Sequence, residues 1–208
     1  MSQGYFTVSE QTENLIVIER SKFICNVKGV KDEDEAKDFI DSIRKKYSLA
    51  NHNCYAYIAD DKGLVQKFSD DGEPQGTAGL PMLEVLRNKR MYKTVAVVTR
   101  FFGGIKLGTG GLTRAYGGSV SEVLGKAKIS DMQPAILFKL TLEYDLYSHL
   151  LKYLTKQNVA IIDTQFENSV TVNFAIKKEE ETAFLKGVAD TFNGKLCAER
   201  VTEQFFAF

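Results

Sequence analysis

The stretch TVAVVTRFF, residues 94 to 102, constrains this chain more than any other, because it runs almost without polar interruption into GGIKLGTGG and then into a helical repeat. A strand that apolar along its whole length is covered on both faces, so layers of other structure must pack over its sheet. Beyond the loop, Leu112, Ala115, Tyr116, Ser119, Val120, Val123, Leu124 and Ala127 recur with helical period. Ten of the 16 glycines lie between residues 66 and 118. Such crowding marks tight turns or backbone that approaches something closely. A strand that passes through glycines into a helix also leaves free N–H groups at the positive helix end, which is an anion site in outline. The same glycines suit a sharp strand-to-helix turn with close packing, and the two readings are compatible.

The formal net charge is zero, which removes any global attraction to nucleic acid or to an acidic membrane. The total conceals a step. Asp60, Asp61, Asp70, Asp71, Glu73 and Glu84 oppose only Lys62 and Lys67. From 85 to 128, Arg87, Lys89, Arg90, Lys93, Arg100, Lys106, Arg114, Lys126 and Lys128 oppose only Glu122. The basic run is a candidate patch or simply a solvated face. Cys25, Cys54 and Cys197 are odd in number and far apart, which argues against a disulfide framework or a structural zinc site. The amino terminus, MSQGYFTVSEQTENL, has no leader pattern, and no apolar run is long enough to span a bilayer. A cytoplasmic protein without membrane contact is expected.

In chain order, NLIVI (14–18) and KFICNVKGV (22–30) read as paired strands. Asp32 with Glu35 resembles a capping box, and Ala36, Phe39, Ile40, Ile43 and Tyr47 mark one helical face. HNCYAYIA (52–59) and residues 64–68 suggest a hairpin, SDDGEPQGTAG a loop, and 80–90 a short helix. Residues 129–134 read as a polar joint. After it, strand, helix, two strands, helix and strand follow, the βαββαβ order of the ferredoxin-like sandwich. The fold class expected is α+β, with an α/β domain over 1–130 and a ferredoxin-like domain over 135–208.

Chemistry is harder to place. GGIKLGTGG is neither a Walker loop nor a dinucleotide fingerprint: Lys106 precedes Leu107 and Gly108, and Thr113 stands where a third glycine belongs. Capture of an isolated phosphate, with Arg100, Lys106 and Arg114 as nearby cations, stays open. Asp70, Asp71 and Glu73 could hold a divalent ion, or DDGEP could be an ordinary turn. His52 and Cys54 alternate on one strand and could form a base and nucleophile, with Ser69, Thr77 or Thr109 as rivals; an ordinary core or edge placement is the plainer reading. Tyr92, Phe101, Phe102 and Tyr116 interleave with the basic run, as base stacking or a core requires. No catalytic residue, metal or cofactor is assigned.

RSKFICNV, HNCYAY, SDDGEPQGTAGLPML and TRFFGGIKLGTGGLTRAYG, in this order and spacing, resemble the YigZ/IMPACT family over essentially the whole chain. The resemblance implies a first domain like the fourth domain of elongation factor G, a fold shared with a small-subunit ribosomal protein, and a ferredoxin-like second domain. It also implies a role in controlling translation and brings no established enzymatic activity. On this chain its motifs fall on Asp71, Gly72, Glu73, Pro74, Gly76 and Thr77, and on Arg100, Gly103, Gly104, Lys106, Gly108, Gly110, Gly111 and Arg114. The expected function is a binding protein that engages RNA or the ribosome through Arg100 to Arg114, Thr109 included, beside a motif surface that also takes in His52 and Asp70. The alternatives are a hydrolase using His52 and Cys54 near the acidic turn, and a protein-interaction module on the carboxy-terminal domain.

Overall fold

A computed structural model describes residues 4–208. Residues 1–3 of the amino terminus, MSQ, lie outside the described part. The chain forms two compact units, one of Tyr5–Ser130 and one built on Asp131–Phe208.

The first unit contains β1 (Tyr5–Val8), β2 (Thr12–Ile18), β3 (Ser21–Gly29), α1 (Glu33–Lys46), β4 (His52–Ile58), β5 (Gln66–Ser69), α2 (Gly79–Asn88), β6 (Thr94–Phe101) and α3 (Gly108–Lys126). Its main sheet has the order β2-β3-β6-β4-β5, with every neighbouring pair antiparallel. The central position of β6 explains its composition. Ala96 and Val98 face Phe23, Cys25, Cys54, Met82, Leu86 and Tyr116, a core closed by α2 and α3. Val95 and Val97 face Phe39, Ile40 and Ile43 of α1. A strand between two helical layers cannot alternate in polarity. The same period of two sends Arg100 toward the α2/α3 side, where nothing polar is expected.

Local chemistry sets the helix ends. Asp32 Oδ1 accepts from Glu35 N at 2.9 Å, as the capping pattern predicts. The reciprocal arm is shifted by one residue: Glu35 Oε2 accepts from Lys31 N at 2.9 Å, while Oε1 meets Lys28 Nζ at 2.7 Å. Glu35 is accordingly held below the usual carboxylate range, chiefly by Lys28. Sequence pattern suggests no element for Tyr5–Val8. An isolated bridge to Met91 ties this strand down, with Phe6 N donating to Arg90 O and Tyr92 N donating to Phe6 O, both at 2.9 Å.

The second unit contains β7 (Ile129–Leu142, which starts just before the boundary), α4 (Tyr144–Leu154), β8 (Ala160–Phe166), β9 (Val170–Lys177), α5 (Glu181–Thr191) and β10 (Glu199–Ala207). Within it the strands pair antiparallel in the order β10-β7-β9-β8, the arrangement of a ferredoxin-like sandwich, with Phe138, Leu140, Leu150, Phe174 and Phe184 in its core. The polar joint expected at 129–134 is instead the first part of β7. Met132, Gln133 and Pro134 lie opposite Ala207, Phe206 and Phe205 of β10, which supplies a ladder that the polar composition does not announce. Among the described residues no helix is long and apolar enough to cross a membrane.

Candidate functional site

Backbone requirements shape the loop between β6 and α3. A Cβ at Gly103 would collide with the Arg20 carbonyl carbon and oxygen, so only glycine lets the loop pass the β2–β3 turn. Gly104 and Gly108 have φ of +87° and +69°, the left-handed region that glycine enters freely. α3 then starts with Leu107 at its cap position, without a capping side chain and without an acidic residue in its first turn. Gly108, Thr109 and Gly110 are exposed, while Gly111 is half-buried. Arg114 folds back toward this end, since a Cβ at Gly110 would lie 3.6 Å from Arg114 Nη1. Lys106 and Arg114 are both exposed, and neither forms an ion pair among the described residues.

The amino end of α2 shows the opposite arrangement. Asp70 Oδ1 accepts from Ala78 N at 3.0 Å and Gly79 N at 2.8 Å, and Oδ2 accepts from Gly76 N at 2.8 Å. Here the anion is a side chain of the protein itself. The other two acids of the turn point elsewhere. Asp71 Oδ2 accepts from Asn53 N at 2.6 Å, with Arg44 Nη2 3.5 Å from Oδ1. Glu73 Oε1 accepts from Arg100 Nη1 and from Tyr116 Oη, each at 2.6 Å. The three carboxylates therefore diverge, and no group of acids, histidines and cysteines fit to hold a metal exists among the described residues. Pro74 and Thr77 complete the turn through Thr77 Oγ1, which donates to Pro74 O at 2.6 Å, while Gly72 and Gly76 take φ of +87° and +75°.

His52 lies opposite Arg100 in the β4–β6 register. Its Nδ1 is 2.8 Å from the Asp71 carbonyl oxygen. A carbonyl only accepts, so Nδ1 carries the hydrogen and Nε2 of the neutral ring keeps its lone pair. That Nε2 is 3.9 Å from Glu73 Oε1. Cys54 is fully buried and donates to Asp70 O at 2.9 Å, and burial pushes its thiol far above the ordinary range. A nucleophile needs an accessible thiolate, so the pairing of His52 with Cys54 as base and nucleophile fails on physical grounds. Ser69 accepts from Asp71 N and Thr77 is occupied by Pro74 O, which ties both to the turn.

His52, Glu73, Pro74 and Arg100 from the turn and sheet meet Phe102, Lys106, Gly108 and Thr109 around one groove of about 450 Å³. The long basic run does not form one patch. Arg100 is only 4% exposed and committed to Glu73, Arg87 bonds Gln66, Lys126 bonds Asn14, and Lys128 pairs with Glu10. Among the described residues Lys89, Arg90 and Lys93, between α2 and β6, also form no ion pair, and beside the glycine loop the unpaired cations are Lys106 and Arg114. Tyr116, predicted as a core aromatic, has a second role as the hydroxyl that holds Glu73; the signal for it is that a buried tyrosine hydroxyl needs a partner. Burial raises its ionisation far beyond the normal tyrosine range, so it stays protonated and donates to Glu73.

Comparison with known proteins places this site in context. Residues 19–124 match the Impact N-terminal domain, and residues 140–195 match a domain of unknown function, DUF1949. The chain is similar to IMPACT family member YvyE of Bacillus subtilis, 42% identical over 94% of this chain and 90% of that protein. It is also similar to IMPACT family member YigZ of Escherichia coli, 35% identical over 86% and 89%. Protein IMPACT of Xenopus laevis matches 43% of this chain and 30% of its own length at 33% identity. A crystal structure of a hypothetical protein superposes with a TM-score of 0.62 at 31% identity, covering 98% of this chain and 100% of that one.

Proposed function

Because this chain belongs to the IMPACT family, we propose that it is a cytoplasmic translation regulator that engages RNA or the ribosome through the amino end of α3. One observation carries the reading: the first turn of α3 is exposed and uncapped beside two unpaired cations, Lys106 and Arg114. Helix amides aimed outward with flanking positive charge receive phosphate oxygens without needing a base sequence. Gly103, Gly104, Gly108, Gly110 and Gly111 bring the backbone close enough for that contact, and Thr109 adds a hydroxyl at the helix start. Arg100 supports the surface from beneath rather than contacting phosphate. The acidic turn with His52 is a scaffold that fixes β4, β6 and α2 around the groove. Three cysteines without a disulfide accord with a reducing cytoplasm.

The test is a photoreactive crosslinker placed at Ile105, an exposed residue inside the loop, in living cells. Ribosomal RNA, transfer RNA or a ribosomal protein should dominate the attached species. Attachment only to proteins outside translation would contradict the proposal.

A further inference from the structure

We propose that the groove beside α3 is a binding site for a ribonucleoside phosphate, either a free nucleotide or the terminal residue of an RNA strand. The inference shares the anion-receiving end of α3 with the reading above and adds a second, separate recognition element.

That element is a buried polar cluster facing the groove. Glu73 is 8% exposed and uses Oε1 for both Arg100 and Tyr116, so Oε2 has no partner among the described residues. Arg100, 4% exposed and also lining the groove, has its Nε–H left without an acceptor among the described residues. A buried polar atom without a partner, as Arg100 Nε is, is uncommon and marks a place where a ligand or water completes the set. With Nδ1 donating to Asp71 O, the neutral form of His52 offers Nε2 as a further acceptor, 3.9 Å from Glu73 Oε1. Two acceptors thus converge on one end of the groove. What they can read is a group with neighbouring donors.

Charge narrows the choice between hydroxyls and an ammonium group. The Arg100 guanidinium sits 2.6 Å from Glu73 and offsets its charge, so the cluster offers acceptors without a net attraction for cations. Neighbouring hydroxyls fit, and a carboxylate reads ribose hydroxyls in dinucleotide sites in the same way. On the α3 side of the groove, Lys106 and the Gly108 and Thr109 amides take an anion. Phe102, 46% exposed, lines the same groove, with the Arg100 guanidinium 5.4 Å from its ring centroid. An exposed ring beside a groove is a stacking surface for a base. At about 450 Å³ the groove falls within the range of small-molecule sites. Sugar hydroxyls, phosphate and base each have a matching wall.

The experiment is titration of the full chain by calorimetry and amide NMR with adenosine 5′-monophosphate, its 2′-deoxy analogue, inorganic phosphate, and RNA oligonucleotides ending in a 3′-hydroxyl or a 3′-phosphate. The ribonucleotide should bind about tenfold more tightly than the deoxy form, the size of one hydrogen bond to a charged acceptor. Its binding should shift the Phe102, Gly108 and Thr109 amides. Phe102→Ala should weaken the nucleotide and leave phosphate unchanged, whereas Lys106→Ala should weaken both. If the source is an RNA end, the 3′-phosphate oligonucleotide loses affinity; if it is a free nucleotide, both oligonucleotides bind alike and the mononucleotide still discriminates. Equal binding of ribo and deoxy forms together with indifference to the 3′ end overturns the inference. The translation reading fails separately, if RNA binding is absent while the mononucleotide still discriminates.

Discussion

Replacing Glu73 with alanine leaves the buried Arg100 guanidinium with one side-chain hydrogen-bond acceptor among the described residues, Ser21 Oγ at 3.4 Å from Nη2, beside the Phe23 and Phe102 rings, and leaves the Tyr116 hydroxyl without its Glu73 acceptor. Removing one partner of a buried ion pair costs about 3–5 kcal/mol, because the remaining charge is stranded. The groove admits some water to Glu73, which argues for the lower end, about 3 kcal/mol. Glu73→Gln keeps an acceptor of the same shape for both donors and should cost about 1–2 kcal/mol. In the double variant Glu73→Ala/Arg100→Met neither charge is stranded, so the loss should fall below that of Glu73→Ala alone. The chain has two units, so a global unfolding curve mixes them. Amide hydrogen exchange of the β6 peptide reports the first unit by itself. If Glu73→Ala changes β6 protection by under about 0.5 kcal/mol, or if the double variant is merely additive, the cluster does not hold the site together.

Three further outcomes follow from the same geometry. Gly103→Ala should destabilise the first unit by about 1–3 kcal/mol through backbone collision with Arg20, whereas Gly118→Ala, in open space inside α3, should stabilise it by about 0.5–1 kcal/mol; hydrogen exchange of the β6 peptide separates them. Native protein at neutral pH should lose one thiol promptly to a thiol reagent, at exposed Cys197, while Cys25 and Cys54 react only on unfolding; prompt labelling of Cys54 would revive the nucleophile reading. Glu35 is held below its ordinary value of 4.5 by Lys28 and the Lys31 amide, so its contribution is present above that value and lost as pH falls through the lowered one. Acid titration of unfolding stability should show this loss shrinking in Glu35→Gln.

What was legible in the sequence is what local pattern dictates. The doubly covered strand β6, the Asp32 cap and the order of elements after residue 134 each follow from residue period or from one side chain beside its own backbone. The glycine-to-helix junction was equally plain, because a loop of that composition has few other uses. The elements that escaped depend on distant partners. β1 is bridged at Phe6 by Arg90 and Tyr92, more than eighty residues away in the chain, and the start of β7 is paired by the last residues of β10. The same holds inside the site. Arg100 looked like one more cation in a basic run, yet its partner Glu73 is set by the β4–β6 register and the fold of the acidic turn. The pattern DDGEP gave no sign that its three acids serve three different partners, one of them the amino end of the following helix.

The most direct test of the account is the salt dependence of RNA binding by the full chain compared with Lys106→Ala/Arg114→Ala. With both cations engaging single-stranded RNA phosphates, the slope of log affinity against log salt should shrink by about 1.4, and affinity should fall for every sequence alike. An unchanged slope and affinity in the double variant would contradict the assignment of RNA contact to the amino end of α3.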